Sequence, residues 1–360
     1  MASPRQWQVA PSLKKSNSEL AELNLPFIIE QILHNRGLDK VAEIRQFLGL
    51  ESFSADLKDF SQLSLAVEVI VKHIKAGNLI VVYGDYDADG VTASTILLET
   101  LAILKAKTRI WLPDRVTEGY GLNTMAIDEL ADLGAKLIIT VDTGIRNKQE
   151  VAYAQKKGLE VIVTDHHRES PEPTEWPDCL IINSTMAREK YPCKFLAGVG
   201  VAYKLVQAIL ERSTLSDNQK KTLERRCLDL VALGTIADCV PLLMENRQLV
   251  KEGIEIMNTS TNPRIGLKEL ARVAQISGEI NEWNISWQLA PRINVAGRLD
   301  HANSAYRLLT TKDRDEAAQI ADDLNQKNNE RQQKTQEIID FCLSELLELQ
   351  ADDSLLVFIS

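Results

Sequence analysis

The sequence predicts an α/β fold built on a parallel β-sheet flanked by helices, with N-terminal helices before it and one long connecting helix after it. Three observations carry that prediction. Continuous apolar runs of strand length, LIVVYG, RIWLP, KLIITV, EVIVT and CLIIN, recur between residues 79 and 183. They read as strands buried on both faces. Helical stretches about a dozen residues long separate the first four of them, an alternation that calls for right-handed crossovers between parallel strands. The first four runs also end in carboxylates or imidazoles, so one crevice beyond the carboxyl ends of the strands collects them.

Residues 1–25 are polar and aperiodic and predict a flexible N-terminus. Residues 26–78 predict a helical segment. FIIEQILHNRG has apolar positions at helical spacing and closes on Gly37; DKVAEIRQFLG follows, with Asp39 as N-cap and Gly49 as terminator; a third helix covers roughly 63–76. The sheet-bearing domain is expected over 79–310, with helices VTASTILLETLAILK, NTMAIDELADLG and NKQEVAYAQKKG between its strands. After the Pro-rich link ESPEPTEWPD come two more helices, LAGVGVAYKLVQAILE and CLDLVALGTIADCVPL, the second stopping near Asp238 because Pro241 blocks its continuation. NISWQLAPRINVAGRLD reads as a loop punctuated by Gly and Pro, and Trp283 and Trp287 are spaced like residues of a core-facing strand. A long charged helix is expected over 311–350, with Ile338, Ile339, Cys342, Leu343 and Leu346 near one stripe, and residues 351–360 read as a strand-like run.

Composition sets limits. A hydrophobic share of 44% and a charged share of 26% in 360 residues suit a globular protein with more than one core. No membrane segment is expected, because the longest apolar runs are of strand length. Five scattered cysteines without a C-x-x-C pair point to a reducing cytoplasm and away from zinc or disulfide chemistry. A net charge of −10 argues weakly against nucleic acid as a partner, since acids that await divalent cations inflate the count and binding depends on local basic surface.

The strand ends carry the chemistry. Asp85, Asp87 and Asp89 alternate across five residues before Gly90; the next strand brings Asp114 and Arg115, the third Asp142, the fourth Asp165, His166 and His167. Asp85-x-Asp87-x-Asp89-Gly90 also matches the opening of a calcium EF-hand loop. That reading fails, because the twelfth position is Ile96 rather than Glu and a β-branched segment precedes Asp85. Each acid alone could be a helix cap; together they suit metal ligation. Asp238, at the end of a nearly uncharged helix, is costly to bury unless paired or coordinated and joins the candidate ligands. Arg292, Asn294 and Arg298 could bind phosphate or pair with neighbouring acids. Tyr120, between Gly119 and Gly121, could stack on a base or simply pack in its loop. His301 could meet substrate or solvent; His34 and His73 are expected as solvated helix residues and Lys204 as a helix-face charge.

Seven ordered blocks, GDYDADGVTAS, PDRVTEGYGL, TVDTGI, VTDHH, LAGVGVAYKL, LGTIADCVPL and PRINVAGRLDHA, resemble the motif series of the DHH phosphoesterase superfamily, in particular its RecJ family of bacterial single-stranded-DNA-specific exonucleases. The resemblance covers residues 26–360. It implies a core holding two Mn²⁺ or Mg²⁺ ions that removes 5′-mononucleotides from single-stranded DNA in the 5′ to 3′ direction, in DNA repair and recombination. A single-strand-binding protein or a helicase would then be partners. By motif, Asp87 and Asp142 would bind one ion, and Asp89, Asp142, His166 and Asp238 the other, with Asp142 bridging. His167 would face the scissile phosphate, and Asp165 would orient its neighbours. Many superfamily members have His where this chain has Tyr83, a poor ligand, so Asp85 or water would complete the first ion. RecJ proteins continue into a DHHA1 domain, and residues 351–360 read as its beginning.

Two divalent ions about 3.5–4 Å apart would acidify an attacking water and clamp the phosphoryl oxygens, which suits phosphodiester hydrolysis. Oxygen ligands mixed with imidazole favour Mn²⁺ or Mg²⁺. Arg292 and Arg298, then Arg115, would neutralise further phosphates. Two other classes stay open: a phosphodiesterase for short oligonucleotides or cyclic dinucleotides, and a non-catalytic scaffold. Retention of the acids speaks against the scaffold.

Overall fold

The computed structural model describes residues 8–13, 23–115, 117–299 and 302–348. The expectations for 351–360 and for His301, and most of those for 1–25, lie outside them. Contacts divide the chain into two units, Phe53–Lys327 and a second made of Met1–Ser52 with Asn328–Ser360.

In the smaller unit, α1 (Phe27–Asn35) and α2 (Val41–Leu48) pack through buried Leu33 and Ile44. Gly49 closes α2 in the left-handed region at φ 75°, as its place in the sequence requires. Asp39 does not cap α2. The N-cap is Lys40, without a side-chain bond, and Asp39 instead meets His34 Nδ1 at 2.6 Å.

The larger unit opens with α3 (Leu63–Lys75) and then alternates: β1 (Leu79–Gly84), α4 (Ala88–Ile103), β2 (Lys107–Trp111), α5 (Thr124–Asp132), β3 (Ala135–Val141), α6 (Lys148–Lys156), β4 (Glu160–Thr164) and β5 (Leu180–Ile182). All pairings are parallel, in the order β2-β1-β3-β4-β5. Alternate residues of each strand face opposite layers. Ile80 and Val82 join α3, α4 and the later helices α7 (Gly198–Arg212) and α8 (Asp217–Ala237), whereas Val81 and Tyr83 join α5 and α6. Because α4 lies between the sheet and other helices, it is buried nearly all round, which explains its continuous apolar text.

This strand order reverses direction between β1 and β3, and such switch points open a crevice at the strands' carboxyl ends. Gly84 pairs with Val141, so the next residues on the two strands are Asp85 and Asp142. The switch point and the acid cluster coincide.

Beyond α8 lie α9 (Met244–Thr259) and α10 (Ile265–Val273). The stretch expected as a loop is helical: α11 (Glu282–Asn284), a π turn over Ile285–Leu289, α12 (Ala290–Asn294) and α13 (Ala296–Leu299). Pro291 directly follows the π turn within one continuous helical run, so the irregular winding and the missing N–H fall together. Trp283 and Trp287 are accordingly not core residues; both are exposed. After α14 (Asn303–Thr310), the expected long helix is α15 (Arg314–Glu348), on which Ile338, Ile339 and Leu343 are exposed.

Two further expectations are corrected. His73 is buried and bonded to Glu160 Oε2 and Asn78. Lys204 is also buried, paired at 2.5 Å with Glu245, which accepts from the Tyr191 hydroxyl as well. In both cases an acid distant in sequence supplies the partner that burial demands.

Candidate metal centre

Asp87 starts the site. It is the N-cap of α4, its Oδ1 accepting the N–H groups of Asp89 and Gly90 at 2.9 and 3.0 Å. The turn is tight enough that a Cβ on Gly90 would lie 2.5 Å from the Asp85 carbonyl oxygen, so this glycine is obligatory. Asp89, in the first turn of α4, is wholly enclosed and meets the start of α7: Gly198 N–H donates to Oδ2 at 2.6 Å and Val199 N–H to Oδ1 at 2.9 Å. A helix N-terminus thus steadies one carboxylate by its unpaired N–H groups and its dipole.

Asp142 follows β3 with φ 61°, in the left-handed region that few residues other than glycine enter and that Asp enters more readily than most. A Cβ at Gly198 would stand 2.5 Å from Asp142 Oδ1, and one at Gly234 of α8 would stand 2.8 Å from Asp89 Oδ1. Both glycines let a helix backbone approach the acids. Asp238 is the C-cap of α8, which explains why an apolar helix ends in an acid.

These elements form three overlapping groups, one ligand atom from each member lying within 4.8 Å of the others: Asp85 with Asp87 and Asp142; Asp89 with His166 and Asp238; and Asp142 with His166 and His167. His166 Nε2 stands 3.1 Å from Asp142 Oδ1, 3.6 Å from Asp238 and 3.9 Å from Asp89. Despite that proximity, Asp142 Oδ1 and His166 Nε2 are buried without a hydrogen-bond partner among the described residues. Orphaned ligand atoms in an oxygen-rich pocket with one imidazole are what divalent cations of the Mn²⁺ or Mg²⁺ kind would satisfy, so the donor set fits such ions.

Protonation energetics agree. Burial, then the neighbouring Asp87 charge, pushes Asp85 up to about 8 and Asp89 up to about 7. Burial and then Asp89 hold Asp238 up to about 7, and burial with four nearby acids raises Asp142 well above the usual carboxylate range. Without cations this pocket resists full ionisation.

Asp165 differs. Burial opposes its charge, yet the hydrogen bond and charge of His167 lower it below the usual range. Its Oδ1 receives His167 Nδ1 at 2.8 Å and the N–H of His166 at 2.7 Å, and its Oδ2 receives Ile145 N–H at 2.9 Å. It orients the two histidines from behind, without joining any ligand group. In turn His167 is raised despite its own burial, chiefly by Asp165. His166 is lowered by burial and kept neutral, the state that ligates metal.

Of the predicted substrate residues, Tyr120 is at the centre: its hydroxyl lies 3.2 Å from His167 Nδ1, and the rings meet edge-on. Arg115 is exposed and stacks 5.3 Å from the Tyr86 ring. Asn294 Oδ1 is already committed to the N–H of Ala88, at 2.7 Å. Arg292 donates to Asn325 and to the Gln288 carbonyl. Arg298 falls on α13, and its side chain lies outside the described residues. Asp114 is absent from the ligand groups; its Oδ1 binds Thr117.

Sequence reasoning missed three supports. The Tyr83 hydroxyl, buried between strand and loop, donates to Gly121 O at 2.9 Å and so pins the loop that carries Tyr120. Asn183 and Thr185 bind the carbonyls of His167 and His166, fixing the backbone of the histidine pair. The α7 N-terminus holds Asp89. Only the last left a signal, the paired glycines of LAGVG.

Residues 79–235 match the model of the DHH family, N-terminal domain. The chain is 38% identical, over an alignment of 366 residues, to the single-stranded-DNA-specific exonuclease RecJ of Bacillus subtilis (strain 168), an alignment that covers 100% of this chain and 44% of that protein. The chain therefore spans less than half the length of that relative. Among solved structures it resembles exonuclease RecJ bound to manganese, at a TM-score of 0.71 and 34% identity over 81% of this chain and 72% of the other. It likewise resembles RecJ of Thermus thermophilus in complex with Mn²⁺, at a TM-score of 0.73 and 31% identity over 93% of this chain and 46% of the other.

Proposed function

The chain belongs to the DHH family, on its RecJ branch, and from that we propose that it is a metal-dependent phosphodiester hydrolase that removes 5′-mononucleotides from single-stranded DNA in the 5′ to 3′ direction. The observation that carries this reading is the pair of ligand groups, Asp85/Asp87/Asp142 and Asp89/His166/Asp238, joined where Asp142 meets His166 at 3.1 Å. Two such ions, Mn²⁺ or Mg²⁺, would supply positive charge to the phosphoryl oxygens and lower the pKa of the attacking water.

In this reading the chain's own residues do the following. Asp142, positioned by its left-handed backbone and by the close approach of Gly198, would be shared between the two ions, while Asp87 and Asp89 would serve one each. Asp85 would take the place beside the first ion that Tyr83 cannot fill. His166 presents a neutral Nε2. His167, its Nδ1–H given to Asp165, offers a cationic ring to a phosphate oxygen. Tyr120 stands beside the same Nδ1 edge of His167, its hydroxyl 3.2 Å from that nitrogen, and Arg115, Arg292 and Arg298 neutralise neighbouring phosphates.

We assign the catalytic domain to 79–310 and the connecting helix to 311–350. The role is in repair and recombination, with a single-strand-binding protein or a helicase supplying unpaired strand. Among the described residues no helix is long and apolar enough to cross a membrane. A DNA substrate and five free cysteines support a cytoplasmic setting.

The test gives the purified chain Mn²⁺ with 5′-labelled single-stranded DNA or with a dinucleotide, using Asp142→Ala as control. Release of labelled mononucleotide by the wild type alone is expected. Cleavage of the dinucleotide only would move the assignment to a small-substrate phosphodiesterase, and release that survives Asp142→Ala would remove the metal assignment.

A further inference from the structure

Among the described residues two tryptophans stand in water. Trp283 is 59% and Trp287 67% exposed, although indoles are large apolar groups that usually find cover. They lie four residues apart on the segment that runs through α11, the π turn and α12, where Ile285, Leu289 and Ile293 are buried. The exposed side thus carries Trp283 and Trp287, and half-exposed Pro291 and Asn294 extend it.

That side ends at the metal loop. Asn294 Oδ1 accepts the N–H of Ala88, the first residue of α4, and a Cβ at Gly297 would touch the Tyr86 carbonyl oxygen at 2.4 Å. One helical face therefore joins a pair of open indoles to the stretch that carries Asp85, Asp87 and Asp89. At about 1.5 Å per residue, Trp287 lies about 10 Å and Trp283 about 16 Å along the segment from Asn294. With a rise of about 3.4 Å per stacked nucleotide, these distances correspond to about three and about five nucleotides.

We infer that Trp283 and Trp287 form a stacking platform for unpaired bases of a nucleic-acid strand, several nucleotides away from the bond being cleaved. The inference rests on the proposed function and extends it from the chemistry to the grip on the strand. Stacking suits a sequence-indifferent substrate, because every base offers a π-face and no hydrogen-bond code is read. It also makes a length rule: a dinucleotide held at the metal centre cannot reach either indole, whereas a strand of eight or more can reach both.

The experiment measures binding of fluorescein-labelled dT12 to the 360-residue chain in EDTA, by anisotropy and by quenching of intrinsic tryptophan fluorescence. The variants are Trp283→Ala/Trp287→Ala and Trp283→Phe/Trp287→Phe. Exposed side chains leave folding intact, which thermal melting checks. The alanine pair is expected to weaken dT12 binding about 5-fold to about 100-fold, and the phenylalanine pair to restore most of it. With Mn²⁺, KM for dT12 should rise in the alanine pair while hydrolysis of a dinucleotide stays unchanged. Unaltered dT12 affinity, equal losses on dT12 and dinucleotide, or a change confined to self-association in gel filtration would overturn the inference while leaving the proposed function standing. A wild-type chain with no hydrolytic activity on any strand would instead count against the proposed function itself.

Discussion

Asp142 Oδ1 and His166 Nε2 stand 3.1 Å apart, both buried, and among the described residues neither makes a hydrogen bond, to the other or to any third group. Such a contact is unfavourable in an empty pocket and natural around a cation. The consequences below follow from it and from the glycines, acids and histidines around it.

Backbone closeness at the acids is a requirement, and two glycines of one helix test it. At Gly198 an added Cβ would press on Asp142 Oδ1 at 2.5 Å, whereas at Gly200 it would meet only Leu196, at 3.3 Å. Gly198→Ala is expected to destabilise by about 1–3 kcal/mol and to lower Mn²⁺ affinity at least about tenfold. Gly200→Ala should be neutral or slightly stabilising, since alanine favours the helix by up to about 1 kcal/mol. Calorimetric metal titration and chemical denaturation of the two variants check this; equal behaviour would contradict it.

Stability should depend on pH and metal together. Burial first, and neighbouring acids second, hold Asp85 up to about 8 and Asp89 and Asp238 up to about 7. The unfolded value is about 3.9. Folded values above the unfolded one mean that the stability these groups contribute is complete below about pH 4 and is lost as pH rises through 7 to 8. The metal-free melting temperature should therefore fall between pH 6 and 8.5, and the increment given by saturating Mn²⁺ should grow over the same window. Melting curves with and without Mn²⁺ decide; an increment that shrinks with pH would oppose the reading.

Asp165 acts through His167. Although burial lowers the imidazole's pKa, the Asp165 hydrogen bond and charge raise it above the ordinary value. In Asp165→Asn that support goes, so His167 loses its proton at lower pH and the alkaline limb of the pH-rate profile should move down. Activity at pH 8 should drop about 10- to 100-fold, with Mn²⁺ affinity changed much less. An unshifted limb would mean that His167 works neutral.

The sheet and the acid cluster were legible because parallel strands advertise themselves as continuous apolar runs and because strand ends must meet at a switch point. Asp85 and Asp142 are neighbours for a reason visible in the text. The stretch around Pro291 and Gly297 was not legible. Both look like breakers, yet Pro291 follows a π turn inside a continuous helical run and Gly297 answers the close approach of the Tyr86 carbonyl, a tertiary contact with no local signature. His73 and Lys204 misled for the same reason: Glu160 and Glu245, which let them be buried, are distant in sequence. Nor could spacing reveal that Asn294 would spend its carbonyl oxygen on Ala88.

Sharing of Asp142 between two ion sites is the relation on which the catalytic reading depends, and electron paramagnetic resonance of the Mn²⁺-loaded chain tests it without any need for turnover. At two equivalents, ions about 3.5–4 Å apart should give an exchange-coupled spectrum that Asp142→Ala abolishes. A spectrum of isolated Mn²⁺ at that loading, or coupling that survives Asp142→Ala, would contradict it.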